Sequence, residues 1–311
     1  MRLDVIIPTY NRANLLDHTL RSLWQATTPP DFEVRVIVVN NNCTDQTSEV
    51  VERWRAPFAG RLAYLFERQQ GRSAALNAGI RAGDGDLVGM IDDDEEVDGG
   101  WYARVQAAFS QSELDFIGGP YVPRWAASVP DWLPMSYVGV IGWIDGGKQA
   151  VAYGPDYPGI LMGGNCVMTR AILDRIGLYK TSLSRTGTRL LAGEDEDMYA
   201  RLLAAGARGI YLPDLIIYHH VPPERLTKRY FRRWCFWRGV SRGVLNKTQR
   251  APEVRLLGVP RWLYGAAARG LLRIGARTVK GRREPAAQFS DELAVWDLAG
   301  FFYGHHFYRA A

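Results

Sequence analysis

The first ninety residues alternate between two kinds of hydrophobic pattern. Short apolar runs predict strands, and they lie at Leu3–Ile7, Val34–Val39, Leu62–Phe66 and Leu87–Ile91. Continuous runs of this kind are typical of strands buried on both faces, as in parallel sheets. Apolar residues at helical spacing lie between the runs and predict three helices. The β-α-β-α-β-α-β order predicts an α/β fold, an open sheet flanked by helices.

Polar residues follow three of the predicted strands. They form the groups Pro8–Arg12, Asn40–Asn42 and Asp92–Asp94. In open α/β sheets, ligands bind beyond the carboxyl ends of the strands. We therefore expect the chemistry of this protein at that edge of the sheet.

Five consecutive acidic residues, Asp92–Glu96, come directly after an apolar strand. Carboxylates at alternate positions, Asp92 and Asp94, can point at a common site, and hard oxygen ligands favour Mg²⁺ or Mn²⁺. The alternative is a solvated acidic turn that caps the next helix. The position at the end of a buried strand favours the metal.

A second acidic run, Glu194–Asp197, opens a predicted helix that continues to Ala205. Acidic residues in a first helical turn commonly interact with the helix dipole, which accounts for two or three of the four. The alternative is that one of these carboxylates acts as a general base.

The segment Gly71–Gly79 is a loop that enters a helix rich in small residues. Exposed amides at a helix start, with Arg72 beside them, suit a phosphate. Close helix packing through alanine and glycine explains the same composition equally well.

Together these segments resemble, in order, the motifs of the family 2 glycosyltransferases, which have the GT-A fold with an open mixed sheet. The matching segments are Val5–Arg12, Val38–Thr47, the loop through Asn77, Met90–Asp94, Gly163–Arg170 and Gly193–Arg201. The resemblance implies a catalytic domain over residues 1–220. It leaves 221–311 as a basic, aromatic-rich helical C-terminal region.

The resemblance implies transfer of a sugar from a nucleoside-diphosphate sugar to an acceptor hydroxyl, with inversion at the anomeric carbon. By motif position, it implies a nucleotide-sugar site made of Pro8, Thr9, Asn11, Arg12, Asn40, Arg72, Asn77, Asp92, Asp93 and Glu194. It also implies Asp94 as a direct ligand of Mn²⁺ or Mg²⁺, and Asp195 as the general base.

Two positions leave parts of this assignment open. The family often has aspartate where this chain has Asn40, so the donor nucleotide stays open between UDP, dTDP and GDP. His219 follows a predicted strand where related sequences often carry a histidine, which implies contact with the metal or the diphosphate. His220 lies beside it, and a packed strand-end histidine is an equal alternative.

The formal net charge of +5 conceals two oppositely charged regions. Residues 1–220 carry 20 basic and 27 acidic side chains, a net of −7, whereas residues 221–311 carry 18 and 6, a net of +12. Basic helices interleaved with aromatic residues predict an anionic membrane surface as partner. Packing of these helices on the catalytic domain is the alternative. We expect no nucleic-acid partner, because no recognised motif supports one.

Cysteine content and hydropathy bear on location. The three cysteines lie far apart and form no CxxC pair, and no apolar run reaches the length of a membrane span. The first residues do not resemble a signal peptide. These features predict a cytoplasmic protein, peripheral at the inner face of the cell membrane.

The leading hypothesis is an inverting glycosyltransferase of polysaccharide or cell-surface glycan synthesis, acting on a glycan or lipid-linked sugar acceptor. One alternative is a transferase that places sugar on polyprenyl phosphate itself. A second is a non-catalytic scaffold that binds nucleotide sugars.

Overall fold

A computed structural model describes residues 1–183, 193–248 and 254–308. The chain divides into two units. The first comprises Met1–Arg124, the described part of 144–187, and Glu194–His220. The second comprises Trp125–Trp143, Gly193 and the described part of 221–308. The sequence-based division at residue 220 does not include Trp125–Trp143 in the second part.

The strands of the described chain are short, and most belong to the first unit. In chain order they are β1 (Arg2–Thr9), β2 (Glu33–Asn40), β3 (Leu62–Phe66), β4 (Leu87–Met90), β5 (Glu95–Val97), β6 (Phe116–Gly118), β7 (Tyr121–Trp125), β8 (Val151–Ala152), β9 (Cys166–Thr169), β10 (Gly209–Tyr211), β11 (Ile217–Val221), β12 (Arg255–Leu256) and β13 (Val259–Pro260).

The helices are distributed along the whole described chain, and the three longest follow residue 227. In chain order they are α1 (Ala13–Gln25), α2 (Thr47–Phe58), α3 (Arg72–Ala82), α4 (Trp101–Gln111), α5 (Arg170–Ile176), α6 (Glu194–Ala204), α7 (Lys228–Thr248), α8 (Arg261–Val279) and α9 (Pro285–His306). Among the described helices, none combines the length and apolar character needed to cross a membrane.

An eight-stranded mixed sheet forms the centre of the first unit, with strand order β3-β2-β1-β4-β9-β6-β10-β8. The first four strands are parallel, and β9 runs antiparallel to both of its neighbours. The chain moves outward from β1 to β3 and then crosses back to place β4 on the other side of β1. The carboxyl ends of β1 and β4 therefore meet where the strand order reverses, which is where open α/β sheets bind ligands.

Side chains that alternate along the central strands fill two separate hydrophobic layers. Val5 and Ile7 of β1 pack with α1, α2 and α4 on one face, and Ile6 packs with α3, α5 and α6 on the other. Burial on both faces favours apolar side chains, and β1 is buried from Leu3 onward, with the buried Asp4 paired to Arg35 and Arg170. The predicted open α/β sheet with helices on both faces is confirmed.

A small sheet of order β5-β11-β7 lies beside the end of β4. Its antiparallel register pairs His219 with Glu95, and the His220 N–H donates to the Asp94 carbonyl oxygen at 2.8 Å. Because side chains alternate along β11, His219 is buried and His220 is half-buried. The sheet therefore orients His219 inward beside the acidic segment.

The second unit is organised around α9, which packs against both α7 and α8. The Phe231 and Cys235 side chains of α7 form a buried cluster with Phe289 and Leu293 of α9. Acidic residues of α9 also bind arginines of both neighbours: Asp297 binds Arg238 and Arg242 of α7, and Asp291 binds Arg273 and Arg277 of α8. Part of the positive charge of the C-terminal region is thus paired inside the unit.

Two pairs of glycines, each four residues apart, allow α7 and α9 to approach closely. Gly239 and Gly243 of α7 lie against Gly300 and Gly304 of α9, so the two helices run parallel. A Cβ atom at Gly300 would lie 1.9 Å from the Phe236 carbonyl oxygen. The seam therefore requires glycine, because neither helix backbone can withdraw without opening the core.

We expect Gly300→Ala to lower the free energy of unfolding by about 1–3 kcal/mol, because the added methyl group clashes with backbone. The matched control is Gly275→Ala in α8, where an added Cβ meets nothing within 4 Å. Alanine should raise stability there by up to about 1 kcal/mol through its helix propensity. Urea unfolding followed by circular dichroism measures both. Equal effects of the two substitutions would contradict the close packing of α7 on α9.

Candidate active site

The segments that follow β1 and β4 meet because these two strands are parallel neighbours, with Ile6 opposite Met90. The Thr9 hydroxyl donates to Asp93 Oδ2 at 2.8 Å, and Arg12 Nη1 lies 2.9 Å from Asp93 and 3.0 Å from Asp94. Arg12 thus joins the β1 loop to two of the acidic residues. Three residues predicted to bind the nucleotide sugar are brought together here, although Asp93 is buried and holds the loop itself.

The acidic segment does not continue β4 as a strand but forms a tight turn. The Glu95 N–H donates to the Asp92 carbonyl oxygen at 3.2 Å, and Glu95 Oε2 accepts the Asp92 N–H at 2.7 Å. The turn gathers carboxylate oxygens of Asp92, Asp94 and Glu95 within 4.8 Å of one another. This all-oxygen donor set fits the ligand preference of Mg²⁺ and Mn²⁺.

Burial makes this concentration of carboxylates costly. Burial raises the pKa of Asp93 to about 6, although Arg12 opposes the shift and the neighbouring Asp94 adds to it. Burial likewise raises the pKa of Glu95 well above its usual value, and the charges of Asp92 and Asp94 raise it further. Each of these carboxylates is therefore ionised only at an energetic cost, which a bound cation would reduce.

Arg72 connects the acidic turn to the second acidic segment. Its Nε lies 2.8 Å from Asp92 Oδ1, and its Nη1 lies 3.5 Å from Asp195 Oδ1 and 3.8 Å from Glu194 Oε1. Burial alone lowers the pKa of the guanidinium, but the three carboxylates outweigh it and raise the pKa well above its usual value. One buried cation therefore neutralises acidic groups from two segments a hundred residues apart.

Asp195 lies in the first turn of α6 and carries a buried oxygen, Oδ1, that accepts no hydrogen bond from the described residues. Two residues further on, Asp197 binds Arg201 Nε at 2.8 Å. Asp197 thus makes an ordinary helical ion pair, whereas Asp195 Oδ1 does not. The role of Asp195 as general base stays a prediction.

Two glycines make the space that these carboxylates occupy. A Cβ atom at Gly163 would lie 2.3 Å from Asp195 Oδ1, and one at Gly164 would lie 2.2 Å from Glu95 Oε1. The segment before β9 therefore passes closer to both acidic groups than any side chain would permit. These glycines and Glu95 are functional candidates that the sequence analysis did not assign. The adjacent Gly163-Gly164 pair inside a motif was the available signal.

His219 Nε2 lies 3.7 Å from Asp94 Oδ2, and its side chain is almost fully buried. The strand alternation of β11 thus brings His219, rather than His220, to the acidic turn. A role in metal or diphosphate binding stays a prediction. The position beside Asp94 is compatible with it.

The loop of Asn11 and the end of β2 are held by their own side chains. Asn11 has a φ of 52° and its Oδ1 accepts the Thr44 N–H at 2.7 Å. Asn40 accepts the Cys43 N–H through Oδ1 at 2.7 Å and donates to the Tyr64 hydroxyl at 2.7 Å. The predicted contacts of Pro8, Asn11 and Asn40 with a nucleotide stay predictions, since their observed contacts are within the protein.

Asn77 makes hydrogen bonds to a distant segment of the backbone, which its position in the motif did not indicate. Its buried side-chain amide donates to the Tyr179 carbonyl oxygen at 2.8 Å, and its Oδ1 accepts the Tyr179 N–H at 3.0 Å. Both polar groups are therefore occupied by backbone more than a hundred residues away. The predicted contact of Asn77 with the nucleotide or diphosphate stays a prediction, since its observed contacts are within the protein.

The family model "Glycosyl transferase family 2" matches residues 4–177 of the chain. The succinoglycan biosynthesis protein ExoM of Rhizobium meliloti is 25% identical over 246 residues, 79% of this chain and 75% of that protein. The glucosyl-dolichyl phosphate glucuronosyltransferase of Haloferax volcanii is 24% identical over 252 residues, 79% of this chain and 78% of that protein.

Among solved structures, the mannosyltransferase PcManGT of Pyrobaculum calidifontis, in complex with GDP-Man and Mn²⁺, superposes with a TM-score of 0.63. The match covers 97% of this chain and 86% of that one, at 20% sequence identity. The likeness shows that the fold is the GT-A fold. The expectation of a GT-A fold with an open mixed sheet, followed by helices in the C-terminal region of the chain, is confirmed.

We expect Arg72→Met to lower the free energy of unfolding by about 3–5 kcal/mol, because it leaves three acidic groups without their shared cation. The measurement is urea unfolding in the presence of a chelator, so that no divalent cation replaces the lost charge. The control is Arg53→Met, since the Arg53 side chain is 63% exposed and pairs with Asp17 at the surface. That change should cost less than about 1 kcal/mol. Equal losses would contradict the bridging role of Arg72.

Proposed function

The chain belongs to glycosyl transferase family 2, and on that premise we propose that it transfers a sugar from a nucleoside diphosphate to an acceptor hydroxyl, with inversion and with a divalent cation. The observation that carries the proposal is the buried Asp195 Oδ1, which accepts no hydrogen bond from the described residues. It lies 3.5 Å from the arginine that also holds Asp92 of the acidic turn. A proton acceptor and a cation-binding group are therefore held together by one side chain.

Asp195 is the general base of the proposed reaction. Its Oδ1 takes the proton of the acceptor hydroxyl while the acceptor oxygen forms a bond to the anomeric carbon. The bond from that carbon to the diphosphate oxygen breaks on the opposite face, and the diphosphate leaves with the electron pair. One displacement inverts the configuration and needs no covalent intermediate with the enzyme.

The acidic turn is the proposed cation site. Asp94 is the proposed direct ligand, with Asp92 and Glu95 beside it within 4.8 Å and His219 next to Asp94. A bound Mn²⁺ or Mg²⁺ would supply positive charge to the departing diphosphate. The side chain of Arg12 is 40% exposed while it holds Asp93 and Asp94, so it can also contact an anionic group of the donor.

The nucleotide is proposed to bind along the β1 loop and the end of β2, against Pro8, Thr9, Asn11 and Asn40. Arg72 lies against Asp92 and near Glu194, and the sugar and diphosphate are proposed to bind beside these residues. Asn40 presents a neutral amide rather than a carboxylate, so UDP, dTDP and GDP all remain candidates. The complex of the structural relative with GDP-Man and Mn²⁺ supports a nucleoside-diphosphate sugar as the donor, but it does not select the nucleobase.

The names of the relatives support a place in glycan assembly. One takes part in succinoglycan biosynthesis, and the other acts on a glucosyl-dolichyl phosphate. We propose a role in exopolysaccharide or other cell-surface glycan synthesis on a lipid-linked sugar acceptor. Such an acceptor places the protein at the inner, anionic face of the cell membrane, consistent with the net charge of +12 in residues 221–311.

A screen of nucleotide sugars with Mn²⁺ or Mg²⁺, by thermal shift and donor hydrolysis, should find one donor that raises the melting temperature and is turned over. With that donor, Asp195→Asn should lower transfer to a hydroxyl acceptor about 10²–10⁴-fold and leave donor binding intact. Glu196→Gln, an exposed change in the same helical turn, is the control.

Two outcomes would contradict parts of the proposal. Retained transfer by Asp195→Asn indicates an acceptor already deprotonated enough to attack, as in a polyprenyl-phosphate sugar transferase. Donor binding without turnover by the unmodified protein on any acceptor indicates a non-catalytic nucleotide-sugar-binding protein.

Gly163→Ala should lower transfer of the sugar about 10²-fold. The added methyl group displaces Asp195 Oδ1 by up to about 1 Å, which misplaces the proposed base. The melting temperature should change little, since the displaced group is the end of a side chain. The control is Gly154→Ala, where an added Cβ meets nothing within 4 Å. Full activity of Gly163→Ala would show that the position of Asp195 does not matter for the reaction.

A further inference from the structure

Exposed hydrophobic side chains concentrate in one stretch of the second unit, from the β12–β13 hairpin to the end of α8. Val254, Leu256 and Leu257 lie at the hairpin, and Leu271, Leu272 and Val279 lie on the helix. They are between 54% and 88% exposed. Single exposed hydrophobic residues are ordinary, but a group of this size along one short segment marks an interaction surface.

The helix α8 has a distinct inner and outer side. Leu263, Ala267 and Gly270 are buried, and Gly270 packs on the Asp291 backbone of α9. Leu272 and Val279 lie roughly half a turn around the helix from Gly270, given about 100° per residue. They are 73% and 88% exposed. The side of α8 that faces away from α9 is therefore apolar.

The hairpin adds an exposed leucine in a conformation that leucine disfavours. Leu257 and Gly258 connect the paired residues Leu256 and Val259, with φ values of 49° and 73°. Two successive residues with positive φ form a type I′ turn, in which asparagine or glycine is strongly preferred at the first position. Leu257 is 69% exposed. The Leu257 carbonyl oxygen is 2.8 Å from His306 Nε2 of α9, but its side chain stays exposed, so neither local backbone preference nor burial explains leucine at this position.

The same stretch carries only one sign of charge. Residues 254–283 contain seven arginines and one lysine and no acidic residue. Arg273 and Arg277 pair with Asp291, whereas Arg269 of α8 is exposed, as are Lys280, Arg282 and Arg283 just beyond its C-terminal end. An apolar helix side bordered by basic residues is the pattern of helices that lie in the interface of an anionic bilayer.

We propose that the tip of the hairpin and the outer side of α8, called here the α8 face, bind the surface of an anionic lipid bilayer. Leu257, Leu272 and Val279 enter the boundary between headgroups and acyl chains, while the bordering basic residues contact lipid phosphates. The inference rests on the proposed function only in that a lipid-linked acceptor requires such contact. A second copy of the chain is a poor occupant, since the basic residues that border the α8 face would repel those of the other copy.

The first test is sedimentation with vesicles of phosphatidylcholine containing about one third phosphatidylglycerol, compared with pure phosphatidylcholine. The unmodified protein should bind the anionic vesicles and release with salt. The pair Leu272→Gln with Val279→Gln should weaken binding at least about tenfold, because two aliphatic groups no longer enter the bilayer. The control is Val129→Gln with Met135→Gln, two hydrophobic positions of the same unit that are 48% and 64% exposed.

The substitution Leu257→Asn tests whether Leu257 contributes to vesicle binding or only to the stability of the hairpin. Asparagine is the better residue for the first position of the turn, so the melting temperature should stay the same or rise. Vesicle binding should nevertheless fall several-fold, because the apolar tip is lost. A residue with only a structural role would change both quantities in the same direction.

Three outcomes overturn the inference: no binding of the unmodified protein to anionic vesicles, equal loss in the control pair, or a dimer in solution that Leu272→Gln dissolves while vesicles stay unbound. Donor hydrolysis by the unmodified protein is measured in parallel without lipid. Hydrolysis without vesicle binding contradicts the α8 face alone. Vesicle binding without hydrolysis of any nucleotide sugar contradicts the proposed function alone.

Discussion

The repulsion between acidic groups at the carboxyl edge of the sheet is the constraint on which the first unit depends. Asp92, Glu194 and Asp195 come from segments a hundred residues apart, and Arg72 holds all three. Without that guanidinium the two segments would repel each other across a partly dry space, where charges interact more strongly than in water. Arg12 does the same for Asp93 and Asp94. The two arginines therefore allow a dense acidic site to exist before any cation or donor binds.

Both units also require places where the backbone comes very close to another group, and glycine occupies those positions. Gly163 and Gly164 allow the segment before β9 to lie against Asp195 and Glu95, which brings the carboxylates into one site. The glycine pairs of α7 and α9 allow two helices to pack with almost nothing between them. In each case the absence of a side chain leaves space for a neighbouring group. That group is a carboxylate in the first unit and the backbone of the facing helix in the second.

Charge in the C-terminal region is divided between two uses. Arginines of α7 and of the inner side of α8 bind Asp291 and Asp297, so they hold the helices together and are not available to a partner. The basic residues that remain on the outer side of α8 border an apolar surface. The net charge of +12 already subtracts these two aspartates, so it is the excess of basic over acidic side chains that remains after pairing.

The amino-acid sequence by itself determined the alternation of strands and helices as far as β4, because strands buried on both faces are mostly apolar, but it did not predict β5, β7 or β8. It also placed the acidic segments at strand and helix ends, and the motifs in order indicated the family. Which polar groups meet was decided only by the tertiary structure. Alternation along a strand predicted Asp92 and Asp94 as neighbours, but the chain turns there and adds Glu95. Asn77 carries a motif position, yet its amide is occupied by the Tyr179 backbone. Contacts across a hundred residues depend on how the layers pack, and local patterns do not contain that information.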